Sequence, residues 1–242
     1  MSFFKSYNSI NALMRVTLLS YTKDAEKLCS SAARSCYSSK GADELMERWN
    51  EDKMEGWLGT PLSSGHHSVL EHASYTFSIE GVSRAMTHQL VRHRIASYSQ
   101  QSQRYVSMDH SHYIIPPSVA EDKEAAEKFK KMMDGVWEYY EFLTSRNVPA
   151  EDARYVLPNA CSTNITVTMN ARELLHFLEL RTCRRAQWEI RAVAEEMLKL
   201  AREVSPYIFC NAGPSCISKG QCQEGKMSCK NPRTELKSSS SE

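Results

Sequence analysis

An α/β (α+β) fold is what this sequence predicts, and three observations carry the prediction. Residues Ala73–Glu80 alternate strictly, with Tyr75, Phe77 and Ile79 set against Ser74, Thr76, Ser78 and Glu80, the pattern of a half-buried strand. Ile190, Val193, Ala194, Met197, Ala201 and Val204 recur at three- and four-residue steps, the apolar stripe of an amphipathic helix. No internal repeat and no clean linker divides the 242 residues, so a single domain with a tail is expected.

The elements come in this order. Met14–Tyr21, rich in Val, Thr and Leu, reads as a strand, and Ala25–Tyr37 and Asp43–Leu58 read as helices, the second on the loose spacing of Leu45, Trp49 and Met54–Leu58. After the Ala73–Glu80 strand, Ser83 is placed to cap a helix running to about His93. Ser97–Val106 reads as short strand or extended chain. Ala120–Arg146 is a long charged helix with Phe129, Met132, Met133, Val136, Tyr140 and Leu143 on its apolar face. Asn147 and Pro149 end it, and Pro149 can open the next helix at its first turn. Ile165, Val167 and Met169 alternate as a strand, and the helices Arg172–Arg181 and Ala186–Val204 come after it. Beyond Asn231 the chain is polar and Ser-rich, and disorder is expected.

Composition excludes several classes. Hydrophobic residues make up 41% and charged residues 24%, which rules out wholesale disorder. No apolar run reaches membrane-spanning length, and the N-terminal stretch lacks the apolar core and cleavage site of an export signal. A cytoplasmic protein without a membrane partner is therefore expected. The net charge of +1 argues against a whole-protein polyanion binder. Nine glycines stand singly, with no GxGxxG and no GxxxxGK[ST], so neither a Rossmann site nor a P-loop is expected. HExxH and GxSxG are absent too.

Charge is nevertheless distributed unevenly. Gly81–Met108 contains no Asp or Glu, yet carries Arg84, His88, Arg92, His93, Arg94 and Arg104. If the helix runs to His93, then Gln89, Arg92 and His93 fall on one face. Uncompensated arginines suit a phosphorylated ligand, because guanidinium binds phosphate through two parallel bonds. A solvated basic face is the competing reading, and RNA binding a weaker one, since Tyr98 and Tyr105 are the only nearby stacking platforms. A second basic cluster spans Asn170–Arg191. There Leu174, Phe177 and Leu178 mark the buried stripe, and Arg181, seven residues beyond Leu174, lands on that side. It is either a snorkelling helix-end cation or a guanidinium held for an anionic ligand.

The string Arg92-His93-Arg94-Ile95-Ala96-Ser97-Tyr98-Ser99-Gln100-Gln101-Ser102-Gln103-Arg104 has the form RHRxxSxxxxSxR. It resembles the signature of flavin-dependent thymidylate synthases. Gly65–His72 is similar to that family's GHxSxxEH segment, and Val148-Pro149 with Ala153-Arg154 and Leu157-Pro158 to its VPxxxAR and LP stretch. Asn170–Arg181 is similar to its NxRxLxHFxxLR pattern. The resemblance runs from about Met14 to about Phe209. It implies a domain of that family's α/β type over residues 1–209, a Cys-rich tail over 210–230, and a disordered end over 231–242.

The resemblance also implies an activity: reductive methylation of dUMP to dTMP. Methylenetetrahydrofolate donates the carbon, FAD reduced by NADPH supplies the hydride, and the enzyme is a homotetramer that binds no nucleic acid. Carried over by position, Ser68, Arg92, His93, Arg94, Asn170, Arg172 and His176 are the FAD set, with His93 expected to lie against the flavin ring. Gln89, Arg92, Gln100, Ser102, Gln103, Arg104, Arg154 and Arg181 are the dUMP set, with Arg104 and Arg154 facing the phosphate. Arg181 resembles the family's activating arginine beside the pyrimidine. Arginine stays protonated, so it serves as a charge stabiliser and not as a base. Ser102 has no evident base beside it and is read as a positioning group.

Two features depart from the family pattern. Ser99-Gln100 stands where many members carry Asn-Glu, which removes a carboxylate. The tail places Cys210, Cys216, Cys222 and Cys229 without the CxxC pairs of a zinc knuckle, so no metal is expected, and reduced, unliganded thiols are favoured over a structural zinc. Cys161 and Cys183 read as packing residues.

Overall fold

The computed structural model describes residues 14–104 and 113–235. The expected extended segment therefore leaves the described residues at Tyr105, and the expected disordered end leaves them after Glu235. The chain forms a mixed fold of helices and an antiparallel sheet. Its strands are β1 (Arg15–Tyr21), β2 (Ser74–Ser83), β3 (Ala96–Gln100) and β4 (Ser162–Asn170), in the order β1-β2-β4-β3. The helices are α1 (Ala25–Ser35), α2 (Ala42–Glu47), α3 (Thr60–Ser63), α4 (Arg84–Leu90), α5 (Pro117–Ala120), α6 (Lys123–Ser145), α7 (Ala150–Ala153), α8 (Ala171–Arg181), α9 (Trp188–Val204), α10 (Pro206–Phe209) and α11 (Ser215–Ser218).

Contacts group the described residues into two compact units. One holds residues 78–92, 98–104 and 113–166 with Met14 and Arg15. Its core is Met133, Trp137 and Tyr140 of α6 against Ala153 and Cys161. Trp137 meets Tyr140 edge to face. Asp122 caps α6, its carboxylate accepting from the backbone of Glu124 and Ala125.

The other unit holds residues 16–77, 93–97 and 167–235. Ile190, Val193, Ala194, Met197 and Ala201 of α9 are fully buried, together with Leu174, Phe177 and Leu178 of α8. Tyr75 on β2 packs against Phe209 edge to face at 5.3 Å, and its hydroxyl meets that of Ser205 at 2.7 Å. The apolar ring is thus buried without leaving its polar atom unpaired. The last part of the chain lies against α8, α9 and the segment joining them through three ion pairs: Lys219–Glu179, Arg185–Glu224 and Arg233–Glu195.

Several expected elements form with other limits. Asp43–Leu58 is not one helix. Helix α2 stops at Glu47, single turns form at Glu51–Lys53 and Glu55–Gly59, and only then does α3 begin. Asn50 is extended there, and Gly56, Gly59 and Pro61 are poor helix formers. Pro149 stands before α7 as its N-cap and not inside its first turn. The long helix begins at Lys123, with Pro117–Ala120 forming a separate turn. Helix α4 ends at Leu90, so Arg92 and His93 lie past it and share no helical face with Gln89. The Ser83 cap forms as read, its hydroxyl accepting from Met86 N–H at 3.0 Å.

Candidate functional site

In the second unit, β4 delivers Asn170, whose Oδ1 accepts from Glu173 N–H at 2.9 Å and so starts α8. One side of α8 is then buried through Leu174, Phe177 and Leu178, while Arg172 and His176 face outward. Asn170, Arg172, Glu173 and His176 line a cavity of about 370 Å³ together with Glu71 and Ile95. Ile95 is 69% exposed, an apolar surface beside polar groups. Arg172 donates to Glu71 at 2.5 Å. Gly65, at φ 85°, turns the chain in a backbone state that favours glycine, ahead of the helical turn carrying exposed Ser68.

His93 is buried, and its ring meets Phe177 edge-on at 5.0 Å and His176 at 6.0 Å. Arg181, at the last turn of α8, donates from Nε to Nε2 of His93 at 3.1 Å. Nδ1 of His93 stands 3.4 Å from a Glu173 carboxylate oxygen. Burial, with Arg181 and His176 adding repulsion, lowers the His93 pKa to about 4, so the ring is neutral near pH 7. Burial raises the Glu173 carboxyl above its ordinary range, with His176 opposing, and lowers the Arg181 guanidinium. Among the described residues the two terminal nitrogens of Arg181 have no protein partner.

A second group lies in the first unit. Arg84 is half-buried and donates to Oε1 of Gln103 at 3.1 Å. Burial and the nearby Arg154 both lower its pKa. Arg154 donates from Nε to the Glu151 carbonyl at 3.1 Å, and neither arginine is paired with a carboxylate among the described residues. Two guanidinium groups set together without a counterion make a place for an anion. Arg104 instead pairs with Glu151 at 2.7 Å, both half-exposed. Gln100 donates to Thr87 at 2.9 Å, and Ser102 Oγ accepts from Arg104 N–H at 3.1 Å.

The residues expected to bind substrate fall in both units. Gln89, Arg92, Gln100, Ser102, Gln103, Arg104 and Arg154 belong to the first unit and Arg181 to the second. Of those expected to bind flavin, Asn170, Arg172 and His176 line one cavity. Arg92, Arg94 and Ser68 are exposed and outside its lining. His93, expected to offer a face to a flavin ring, is enclosed by Phe177, His176, Glu173 and Arg181. Sequence reasoning gave no role to Arg84 or Glu173. The available signals were the position of Arg84 in the acid-free stretch and of Glu173 as the one acid between Asn170 and Leu178.

A profile of the thymidylate synthase complementing protein family matches residues 17–207. A Geobacter sulfurreducens protein named flavin-dependent thymidylate synthase is 54% identical over 218 residues, covering 89% of this chain and 94% of its own. The chain belongs to the flavin-dependent thymidylate synthase family. A Pyrococcus furiosus protein of the same name is 48% identical over 220 residues, covering 88% of this chain and 90% of its own. A UMP/dUMP methylase, PolB of Streptomyces cacaoi, solved with 5-Br dUMP, superposes with a TM-score of 0.72. At 24% identity over 81% of this chain and 93% of that one, it shows the shared fold.

This member of the flavin-dependent thymidylate synthase family carries neither a GxGxxG nor a GxxxxGK[ST] loop. The buried thiols act as packing groups: Cys29 is pushed up to about 12 and Cys161 to about 11 by burial. Cys183 is partly buried. Among the described residues no group of three or more His, Cys, Asp or Glu is placed to hold a metal ion. No described helix is long and apolar enough to cross a membrane.

Proposed function

We propose that this protein converts dUMP to dTMP by reductive methylation in the cytoplasm, with methylenetetrahydrofolate as carbon donor and NADPH as reductant. The observation that carries this reading is Arg181: a partly desolvated guanidinium tied at Nε, with its outer nitrogens left for a ligand. Charge that develops on a pyrimidine as C5 becomes nucleophilic needs such a fixed cation, and a preorganised donor lowers that barrier.

The cavity fits a flavin by the chemistry of its lining. Ile95 offers an apolar surface for a planar ring, Asn170 an unshared amide nitrogen, and Arg172 and His176 polar groups at the rim. Arg92 and Arg94 are the exposed cations suited to a pyrophosphate. FAD, when bound and reduced by NADPH, supplies the hydride that takes the transferred carbon to a methyl group. The chain's own residues bind and orient. Arg84 joins Arg154 and Arg104 as contacts for the nucleotide phosphate, with Gln103 holding Arg84 in place, while Gln89, Gln100 and Ser102 position the nucleotide. Arg181 stabilises negative charge on the base.

A homotetramer belongs to the same proposal, and the outward face of α6 supports it. Met132, Tyr139 and Phe142 are each about half-exposed. With Gly135 they keep to alternating three- and four-residue steps, the seam spacing of paired helices. Lys130 and Lys131 lie to one side of Gly135 and Glu138 and Glu141 to the other, while Lys128 pairs with Glu124 inside α6. A second copy of α6 packed antiparallel would therefore set opposite charges together, and Gly135 has open space where its Cβ would stand. The deciding assay is dUMP-dependent NADPH oxidation with methylenetetrahydrofolate, with dTMP identified as product. A protein that oxidises NADPH yet forms no dTMP overturns the reading.

A further inference from the structure

We propose that Glu173 is a positioning residue: it keeps the proton of His93 on Nδ1, so that Nε2 remains the acceptor for Arg181 and the plane of that guanidinium is fixed. The inference rests on the role proposed above for Arg181, and goes beyond it in naming what aims the arginine.

The donor inventory forces the first step. An arginine Nε–H can only donate. It points at Nε2 of His93 at 3.1 Å, so that nitrogen presents its lone pair. A neutral imidazole carries one proton, which must then sit on Nδ1, the nitrogen 3.4 Å from Oε1 of Glu173. The arrangement is enclosed, with the side chains of His93 and Glu173 only 4% and 8% exposed. Phe177 and His176 fix the ring from its other sides. Glu173 is fixed in turn by its place in the first turn of α8, where its own backbone N–H is held by Asn170.

Taking the carboxylate away removes the acceptor facing Nδ1 and favours the other tautomer. The Nε2–H of that tautomer would point at the Nε–H of Arg181, donor against donor. Arg181 must then turn away, and its outer nitrogens no longer aim as they did. Glu173 also lines the cavity, with its side chain 8% exposed, and in this role it acts through His93. Choosing a histidine tautomer through the partner of its other nitrogen is a general device, and its loss reaches activity even when the fold survives.

Nitrogen NMR of the full chain, with histidine labelled and His93 assigned by comparison with His93→Gln, tests this directly. The wild type is expected to show Nδ1 protonated and Nε2 unprotonated. Glu173→Gln, whose amide oxygen still accepts, should keep that pattern, and Glu173→Leu should move the proton to Nε2. With rates normalised to bound flavin, Glu173→Leu should form dTMP about 10- to 100-fold more slowly, and Glu173→Gln should recover most of the loss. A wild-type His93 protonated at Nε2 overturns the proposal, whether or not Glu173→Leu folds. So does a Glu173→Leu protein with the wild-type tautomer and turnover. If the wild type makes no dTMP, the reading of function fails, while the tautomer measurement still decides the relay.

Discussion

Arg181 and His93 are joined by one hydrogen bond of 3.1 Å, given by Nε of the arginine, and this bond divides the guanidinium between protein and ligand. One edge is used inside α8's surroundings, and the other remains for chemistry. Replacing Arg181 with Ala should reduce dTMP formation by roughly 100- to 1,000-fold, the usual cost of losing one preorganised charge donor. Flavin should stay bound, and NADPH should still reduce it. Arg181→Lys should not rescue turnover, because an ammonium cannot bond His93 and face a planar ring with a second pair of donors. Single-turnover product analysis beside the flavin absorption spectrum measures both parts.

Arg92 is exposed and stands among the cations suited to a pyrophosphate. Arg92→Ala should weaken FAD binding by about ten- to a hundredfold, corresponding to about 1.5–3 kcal/mol for a charge-assisted contact. Titration of the apoprotein with FAD reads this as a shift in the dissociation constant.

Ser102 has a structural task that the sequence did not reveal. Its Oγ accepts from the backbone N–H of Arg104 at 3.1 Å and stabilises the turn carrying that arginine. Ser102→Ala should therefore keep activity within about tenfold of the wild type, since one neutral hydrogen bond contributes about 1 kcal/mol. A wholly inactive Ser102→Ala protein that still binds dUMP would overturn the positioning role.

The depressed pKa of His93 makes stability depend on pH with a definite sign. In the unfolded chain this group takes up its proton near pH 6.5, and in the folded protein only near pH 4. Between those values the unfolded state binds more protons, so acid favours unfolding there. The stability that His93 contributes is complete above about pH 6.5 and is lost as pH falls towards 4. Thermal melts across that window should show the wild type losing more stability than His93→Gln, whose side chain does not titrate. Parallel curves would refute the assignment.

Light scattering should find a particle of about four times the 27.6 kDa chain. Placing charge on the α6 seam, with Tyr139→Glu and Phe142→Glu together, should yield smaller species. An active wild-type monomer would overturn the tetramer.

The parts legible in the sequence were those decided by local pattern. The alternation around Phe77, the Ser83 cap and the stripe of α9 all form as read, because each depends on neighbours a few residues away. The seven-residue step from Leu174 placed Arg181 on the inner side of α8, where its guanidinium is partly desolvated. Features that depend on distant partners could not be read. The segment after Asp43 has too few buried apolar residues to enforce one helix, so Asn50, Gly56 and Pro61 prevail. The enclosure of His93 requires Glu173, Phe177 and Arg181, some eighty residues away, and nothing in the RHR motif foretells it. The caps made by Asn170 and Gln187 are not evident in the sequence, because Asn170 matches a binding motif and glutamine is not a preferred N-cap residue.

Asn170 is one small side chain that serves two ends. Its oxygen is committed to the start of α8, while the residue also lines the cavity, with its amide nitrogen unshared. Aspartate at this position would keep the helix start, and the added negative charge suits a helix N-terminus, but it would present the cavity with an acceptor in place of a donor. Alanine would lose both, at about 1 kcal/mol for the cap alone. Folding and recognition therefore draw on the same amide, and no substitution can improve one of them here without being felt by the other.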